Sequence, residues 1–344
     1  MKALSLQLRS PSIGLQWTAT ILGPLVAFAL FLLISDANPI ELYQIMVGSV
    51  IGDWYGIGEV VIKSTPFLLT ALAAALPAKA GMINVGGEGQ LALGALVATW
   101  SAVYLLSDMP GAVGLPLMAL FGALGGALWA GIAGLLKTRG NMNETITTLL
   151  MNYIAYFTIG FFCQGILKDP ASFNWPFSPP VAEQLRLPTF SMTSRAHVGI
   201  FIAIAVALLV WYIIYHTRLG FRIRTVGGNA EAARQAGINV KAIQLGVLVA
   251  AGAIAGLAGM IEIAGVEERL RPTTGVTYGY LGFLASWMAW NHPLRLVATA
   301  FVIGTISVAG NSMEMNSGLP ASSVQILMAL VLFALLIMGR RNKT

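Results

Sequence analysis

Cysteine is almost absent from this chain: Cys163 stands alone, so no internal disulfide framework can staple the fold. Histidine is nearly as scarce, with only His197, His216 and His292, and no Cys/His metal site is expected. Charge is the third scarcity. Only 10% of the 344 residues are Asp, Glu, Lys or Arg, too few to solvate the surface of a soluble domain. The signatures of catalysis are missing as well: there is no G-x-x-x-x-G-K-[ST] phosphate loop, no H-E-x-x-H, no G-x-S-x-G and no isolated carboxylate pair at acid/base spacing. Nothing predicts an enzyme, and the chain cannot hydrolyse ATP by itself. Short alternating segments, which a membrane barrel needs, are lacking too.

What is present is apolar. Hydrophobic residues make up 57% of the chain and the mean hydropathy is +0.77, as expected of an all-α polytopic membrane protein. Apolar runs bounded by charges, Pro or Gly predict about ten spans, at 17–36, 60–79, 86–107, 112–136, 145–167, 196–217, 242–265, 277–290, 294–311 and 320–339. They form a single transmembrane domain over 1–344. No small-residue cleavage site follows the first run, which reads as an uncleaved span.

Basic residues are retained on the cytoplasmic side of membranes. With the N-terminus inside, the inner set is Lys2, Arg9, Lys79, Lys137, Arg139, Arg218, Arg222, Arg224, Arg234, Lys241, Arg295, Arg340, Arg341 and Lys343. The outer set is Lys63, Lys168, Arg186, Arg195, Arg269 and Arg271, so the 20 basic residues divide 14 to 6. Both termini are therefore expected in the cytoplasm. The net charge of +6 reflects orientation and gives no reason to expect a nucleic-acid partner.

Two connections are long. The outer one, 168–195, is rich in proline and suits an ordered extracytoplasmic cap. The inner one, 218–241, contains "NAEAARQAG": Asn229 as N-cap, alanine-rich helix formers, then a stop at Gly237. This predicts a short helix on the cytoplasmic face.

Polar residues concentrate in a few places. "GMINVGGEGQ" puts Gly81, Gly86, Gly87 and Gly89 among Asn84, Glu88 and Gln90, where a regular helix is not sustained. Two structures fit: a tight cytoplasmic turn, or a broken segment along a solute path, since exposed backbone is tolerated in a membrane only within protein or beside water. "NETITTLLMNYIAY" places Thr148 and Asn152 on one helix face with Glu144 close by, either as an N-cap with interhelical hydroxyls or as further path lining. In "TYGYLGFLASWMAWNHP", Phe283, Trp287 and Trp290 share a face that fits an interfacial aromatic belt or a stacking surface. Gly122 with Gly126, and Gly252 with Gly256, read as close helix packing. Glu267, Glu268, Arg269 and Arg271 form either a solvated rim or a docking patch for a soluble partner.

Four stretches, "AGMINVGGEGQLALGA", "NETITTLLMNYIA", "GGNAEAARQAGINV" and "GYLGF…NHP", in that order, resemble one family: permease subunits of bacterial ABC importers of the branched-chain amino acid and simple-sugar type. The nearest likeness is to the branch that serves basic-membrane-protein lipoproteins and nucleosides. The resemblance implies a multi-pass protein of the bacterial inner membrane that imports nucleosides or related small polar solutes. Its implied partners are a second permease subunit, paralogous or a second copy, a cytoplasmic ABC ATPase and an extracytoplasmic solute-binding lipoprotein. ATP and Mg would belong to the ATPase, with no cofactor in this chain. It further implies path residues Asn84, Glu88, Gln90, Glu144, Thr148 and Asn152, and Gly228, Asn229, Glu231, Ala232, Arg234 and Gly237 as the ATPase-coupling helix. From their own pattern, Phe283 and Trp287 are added to the expected path, and Glu267, Glu268, Arg269 and Arg271 are expected to dock the binding protein. The chain departs from the family in carrying Trp287, Met288 and Trp290 before N-x-P, which would either narrow the path or offer a stacking surface. A permease for simple sugars and an ion-coupled secondary transporter are the competing readings. The latter needs ionisable groups deep in the membrane, where Glu262 is the only acid.

Overall fold

The computed structural model describes residues 13–190, 194–320 and 322–341; Lys2, Arg9 and Lys343 of the inner set lie outside them. Among the described residues there is no strand, only an isolated antiparallel bridge between Thr189 and His197. The helices are α1 (Ile13–Ile34), α2 (Pro39–Ile51), α3 (Trp54–Ala78), α4 (Gly87–Tyr104), α5 (Gly111–Gly140), α6 (Glu144–Gln164) and α7 (Gly199–His216). They continue with α8 (Arg218–Gly228), α9 (Ala230–Gln235), α10 (Val240–Glu262), α11 (Tyr278–Met288), α12 (Pro293–Ser317) and α13 (Ser322–Arg341). Among the described residues six helices, α3, α5, α6, α7, α10 and α12, are long and apolar enough to cross a membrane. The chain is a multi-pass membrane protein.

Residues 13–49 and 309–341 belong to one compact unit and Val50–Val308 to another. In the first, α1 packs on α13, and Tyr43 of α2 donates its hydroxyl to the Leu25 carbonyl at 2.6 Å beside the fully buried Phe28. In the second, α10 is central and packs on α3, α4 and α5. Helix packing in lipid relies on small residues that let backbones approach. Here a Cβ on Gly126 would overlap the Gly252 carbonyl, and one on Gly94 would overlap the Gly256 backbone, so both predicted glycine pairs lie in this seam.

Several sequence expectations are corrected. The run 277–290 does not form a spanning helix: α11 has 11 residues, about 16 Å at 1.5 Å per residue, half the hydrocarbon thickness. Two helices were not expected. α2 starts where the Asn38 side chain accepts the Ile40 N–H at 3.1 Å, and α8 starts where Thr217 accepts the Gly220 N–H at 3.1 Å.

In the larger unit, members of the predicted outer set and of the predicted inner set make separate ion pairs. Of the outer set, Arg195 grips Glu59 with bidentate bonds of 2.9 Å, and Arg186 pairs with Glu268 at 2.7 Å. Of the inner set, Lys137 pairs with Glu144 at 2.7 Å, and Lys79 lies near Arg224 and Arg295.

Candidate functional site

After α3 ends, the chain turns at Gly81, whose φ of +74° only glycine adopts freely, and re-enters the bundle as non-helical backbone. Asn84 then reaches Ala73, five residues before the end of α3, donating from Nδ2 to its carbonyl at 3.0 Å. Helix α4 starts at Gly87, whose missing side chain faces Thr70 and Gly279. Thr70 lies eight residues from the end of α3, a depth of about 12 Å. The Gly-rich stretch is therefore a re-entrant break and not a surface turn.

Backbone released inside a membrane must find partners within the protein; Asn84, Thr148 and Asn152 supply them, and Gln90 braces Asn84. Asn84 and Gln90 form a reciprocal amide pair at 3.1 and 3.0 Å, and Asn84 Oδ1 also accepts the Gly86 N–H at 3.0 Å. Thr148 Oγ1 accepts the Val85 N–H at 3.2 Å. Asn152 accepts the Gly89 N–H at 2.9 Å and donates to the Val85 carbonyl at 3.0 Å. All four side chains are buried, so in this conformation they brace the break and face no open passage. Glu144, ion-paired to Lys137, sits at the inner end of α6.

A second break faces the first. Residues 268–277 follow α10 without regular helix, and α11 then begins at Tyr278. Its start is fitted closely onto α4 and α3: a Cβ on Gly279 would overlap the Glu88 backbone, one on Gly282 would overlap Thr70, and the Thr70 hydroxyl donates to the Tyr278 carbonyl at 3.0 Å. The N-termini of two half-helices thus meet inside the bundle, and the half-buried Glu88 carboxylate faces the backbone N–H groups of Thr277 and Tyr280. A carboxylate there meets the positive ends of both helix dipoles.

Along α11, away from Glu88, Tyr280, Phe283 and Trp287 occupy one helical face at i, i+3 and i+7. Phe283 and Trp287 have ring centroids 6.0 Å apart, Trp287 is 43% exposed, and Tyr280 Oη accepts from Asn152 Nδ2 at 3.4 Å. Tyr153, one residue along α6, is also exposed. The structure therefore places Tyr280 beside both Glu88 and Tyr153, on the helix that carries Phe283 and Trp287. The "TYGY" spacing relative to Phe283 was the available signal for Tyr280; nothing in the sequence pointed to Tyr153.

Above this surface lies a buried polar chain. Lys63 Nζ donates to Tyr278 Oη at 2.8 Å, and Tyr278 donates to Glu262 Oε1 at 3.0 Å. The nominated docking residues are mostly engaged within the protein. Glu267 accepts from the Thr274 hydroxyl, Glu268 is paired with Arg186, Arg271 lies over the Phe177 ring at 5.5 Å, and Arg269 is half-buried. Residues 168–190 are tied to the segment after α10: Ser178 N–H donates to the Leu270 carbonyl at 3.0 Å and Leu187 N–H to that of Ala264 at 2.8 Å.

At the opposite end, α9 has the predicted form. Asn229 accepts from the Glu231 and Ala232 N–H groups at 3.0 Å, and Gly237 takes φ +78° after the last turn. Val226, Ala233 and Val240 hold it to α8 and α10, while Gly228, Asn229, Glu231, Ala232, Arg234 and Gly237 stay exposed, with Glu231 and Arg234 ion-paired. Close by, burial first, and then the Arg224 and Arg295 charges, hold the Lys79 amine below its ordinary value. Burial, Arg295 and Lys79 likewise lower His292.

The sequence profile of the branched-chain amino acid transport system / permease component matches residues 56–338. The chain belongs to this family. It is 33% identical to the glucose ABC transporter permease of Haloferax volcanii over 92% of this chain and 85% of that relative. It is 32% identical to the guanosine ABC transporter permease NupP of Bacillus subtilis, over 91% of this chain and 90% of the relative. The nucleoside ABC transporter permease NupB of Lactococcus lactis is 29% identical over 92% and 90%. No solved structure matches significantly. As a member of this family the chain is an ABC transporter permease, and its polar breaks belong to a transport protein rather than to an enzyme.

Proposed function

We propose that this permease forms the path by which a bacterial inner-membrane importer takes up nucleosides, at the expense of ATP hydrolysed by a partner ATPase. The observation that carries the reading is the aromatic face of half-buried Tyr280 and Phe283 and exposed Trp287 on α11, the helix that starts against Glu88. A planar base stacks on such a face and a carboxylate accepts hydrogen bonds from ribose hydroxyls. The guanosine and nucleoside permeases among the relatives support the same substrate class.

The ten crossings and the cytoplasmic location of both termini belong to this proposal. Residues 82–86 with α4, and 268–277 with α11, each make one composite crossing of irregular backbone and helix. α9 is then the ATPase-coupling helix, the opposite end receives a solute-binding lipoprotein, and a second permease subunit completes the complex. Closure of the ATPase dimer would move α9 and, through α8, the Gly81 break, which is a rigid-body gating step. Asn84, Thr148 and Asn152 would then exchange their backbone partners, and Gln90 its bond to Asn84, for the passing solute.

The test is uptake into proteoliposomes containing the reconstituted complex, with guanosine or glucose loaded on the binding protein. ATP-dependent guanosine uptake without glucose uptake supports the reading. Glucose uptake alone would make the chain a sugar permease, and uptake driven by an ion gradient without ATP would make it a secondary transporter.

A further inference from the structure

A second feature lies away from the path. A crevice of about 460 Å³ opens among α3, α5, α7, α8 and α10 and is lined by aliphatic side chains and Gly246, the side chains including Leu76, Leu209, Ile213, Leu219, Ile223 and Val247. It faces the membrane: Leu209 and Leu219 are exposed, and so are Leu208 and Tyr212 beside it on α7. At Gly246, on its floor, an added Cβ would meet nothing within 4 Å.

The end of the crevice nearest α9 is cationic. Arg218, Arg222 and Lys241 each precede a lining residue, namely Leu219, Ile223 and Ala242. All three are exposed and, among the described residues, none is in an ion pair. The nearest acid in sequence, Glu231, is already paired with Arg234. Helix α8 also exposes Phe221 and Leu219 beside its arginines, as a helix lying in a membrane interface does.

We propose that this crevice holds one acyl chain of an anionic phospholipid of the leaflet on the α9 side, with its phosphate on Arg218, Arg222 and Lys241. The bilayer is as apolar as the crevice, so the chain gains little free energy by moving in. Selection must come from the headgroup. Each Lys or Arg at a membrane surface is worth roughly a fivefold preference for an anionic lipid, so three predict up to about a hundredfold. The lipid would wedge between α7 and α10 at the base of α8, the element that joins the proposed coupling helix to the bundle.

The test places the full-length permease complex in phosphatidylcholine nanodiscs doped with phosphatidylglycerol or phosphatidylcholine carrying a diazirine on the acyl chain. After photolysis, labelled peptides are mapped. The proposal expects phosphatidylglycerol to label 206–223 and 242–257 at least tenfold more than phosphatidylcholine does. Gly246→Leu, which fills the crevice from its floor, should remove that labelling and spare other lipid-facing peptides. The variant Arg218→Gln/Arg222→Gln/Lys241→Gln should bring the two lipids to equal labelling. An unlabelled crevice, equal labelling by both lipids in the wild type, a headgroup preference that survives the triple variant, or labelling unaffected by Gly246→Leu would each overturn it.

Discussion

Gly227 of α8 packs backbone against backbone on Gly81: a Cβ on Gly81 would lie 3.3 Å from the Gly227 Cα, and one on Gly227 would overlap the Lys79 carbonyl. The segment carrying α9 is thereby in direct contact with the start of the first break. Gly81→Ala forces a side chain into a left-handed conformation, at roughly 1–2 kcal/mol, and separates the two elements. The expected result is an assembled complex whose ATPase persists while solute moved per ATP falls. An unchanged transport-to-ATP ratio in Gly81→Ala and Gly227→Ala would show that the contact transmits nothing.

Asn152 holds two backbone groups of the break. Asn152→Ala leaves the Gly89 N–H and the Val85 carbonyl unpaired in a buried site, at roughly 1–3 kcal/mol for each. The melting temperature in detergent should fall by more for Asn152→Ala than for Thr158→Ala, whose hydroxyl bonds only its own helix, to the Ile154 carbonyl at 2.7 Å.

Much of this was legible in the sequence and some was not, for physical reasons. α9 was readable because its signals are local: an asparagine cap, alanines and a left-handed glycine. α8 was not, since its glycines and arginines resemble a loop until Gly227 is seen against Lys79. The shortness of α11 was hidden because 277–290 is apolar throughout; its start is set by the positive φ of Thr277 and by the fit of Gly279 on Glu88, which are tertiary facts. Asn84 and Gln90 were recognisable as polar residues in a membrane, but their pairing with each other and with Ala73 depends on the fold of the break.

Trp287 and Tyr280 are proposed to meet the base of the solute. Stacking of a base on an aromatic side chain is worth about 1–3 kcal/mol by alanine substitution. Trp287→Ala should therefore reduce guanosine uptake about fivefold or more while leaving basal ATPase intact. Transport assays with equal protein would show this; uptake unchanged in both Trp287→Ala and Tyr280→Ala would remove the aromatic face from the path.

His197 sets a pH dependence. Its ring is buried between Gly199 and Gly265, its Nδ1 accepts the Gly199 N–H at 3.1 Å, and burial pushes its pKa down from 6.5 to about 4. The unfolded chain binds the proton more readily than the folded one, so stability is full above 6.5 and is lost as pH falls toward 4. The difference is worth roughly 3 kcal/mol. His197→Asn keeps an acceptor for the Gly199 N–H but does not titrate. Melting temperatures measured from pH 7 to pH 4 should fall less steeply in this variant than in the wild type.

The most direct measurement is ATPase activity of the complex in nanodiscs, with and without solute-loaded binding protein, for the wild type and for Glu231→Arg/Arg234→Glu in α9. The account predicts that loaded binding protein stimulates the wild type, and that the variant loses this response while staying folded. Stimulation that persists undiminished in the variant, or a complex that moves solute with no ATPase bound, would contradict it.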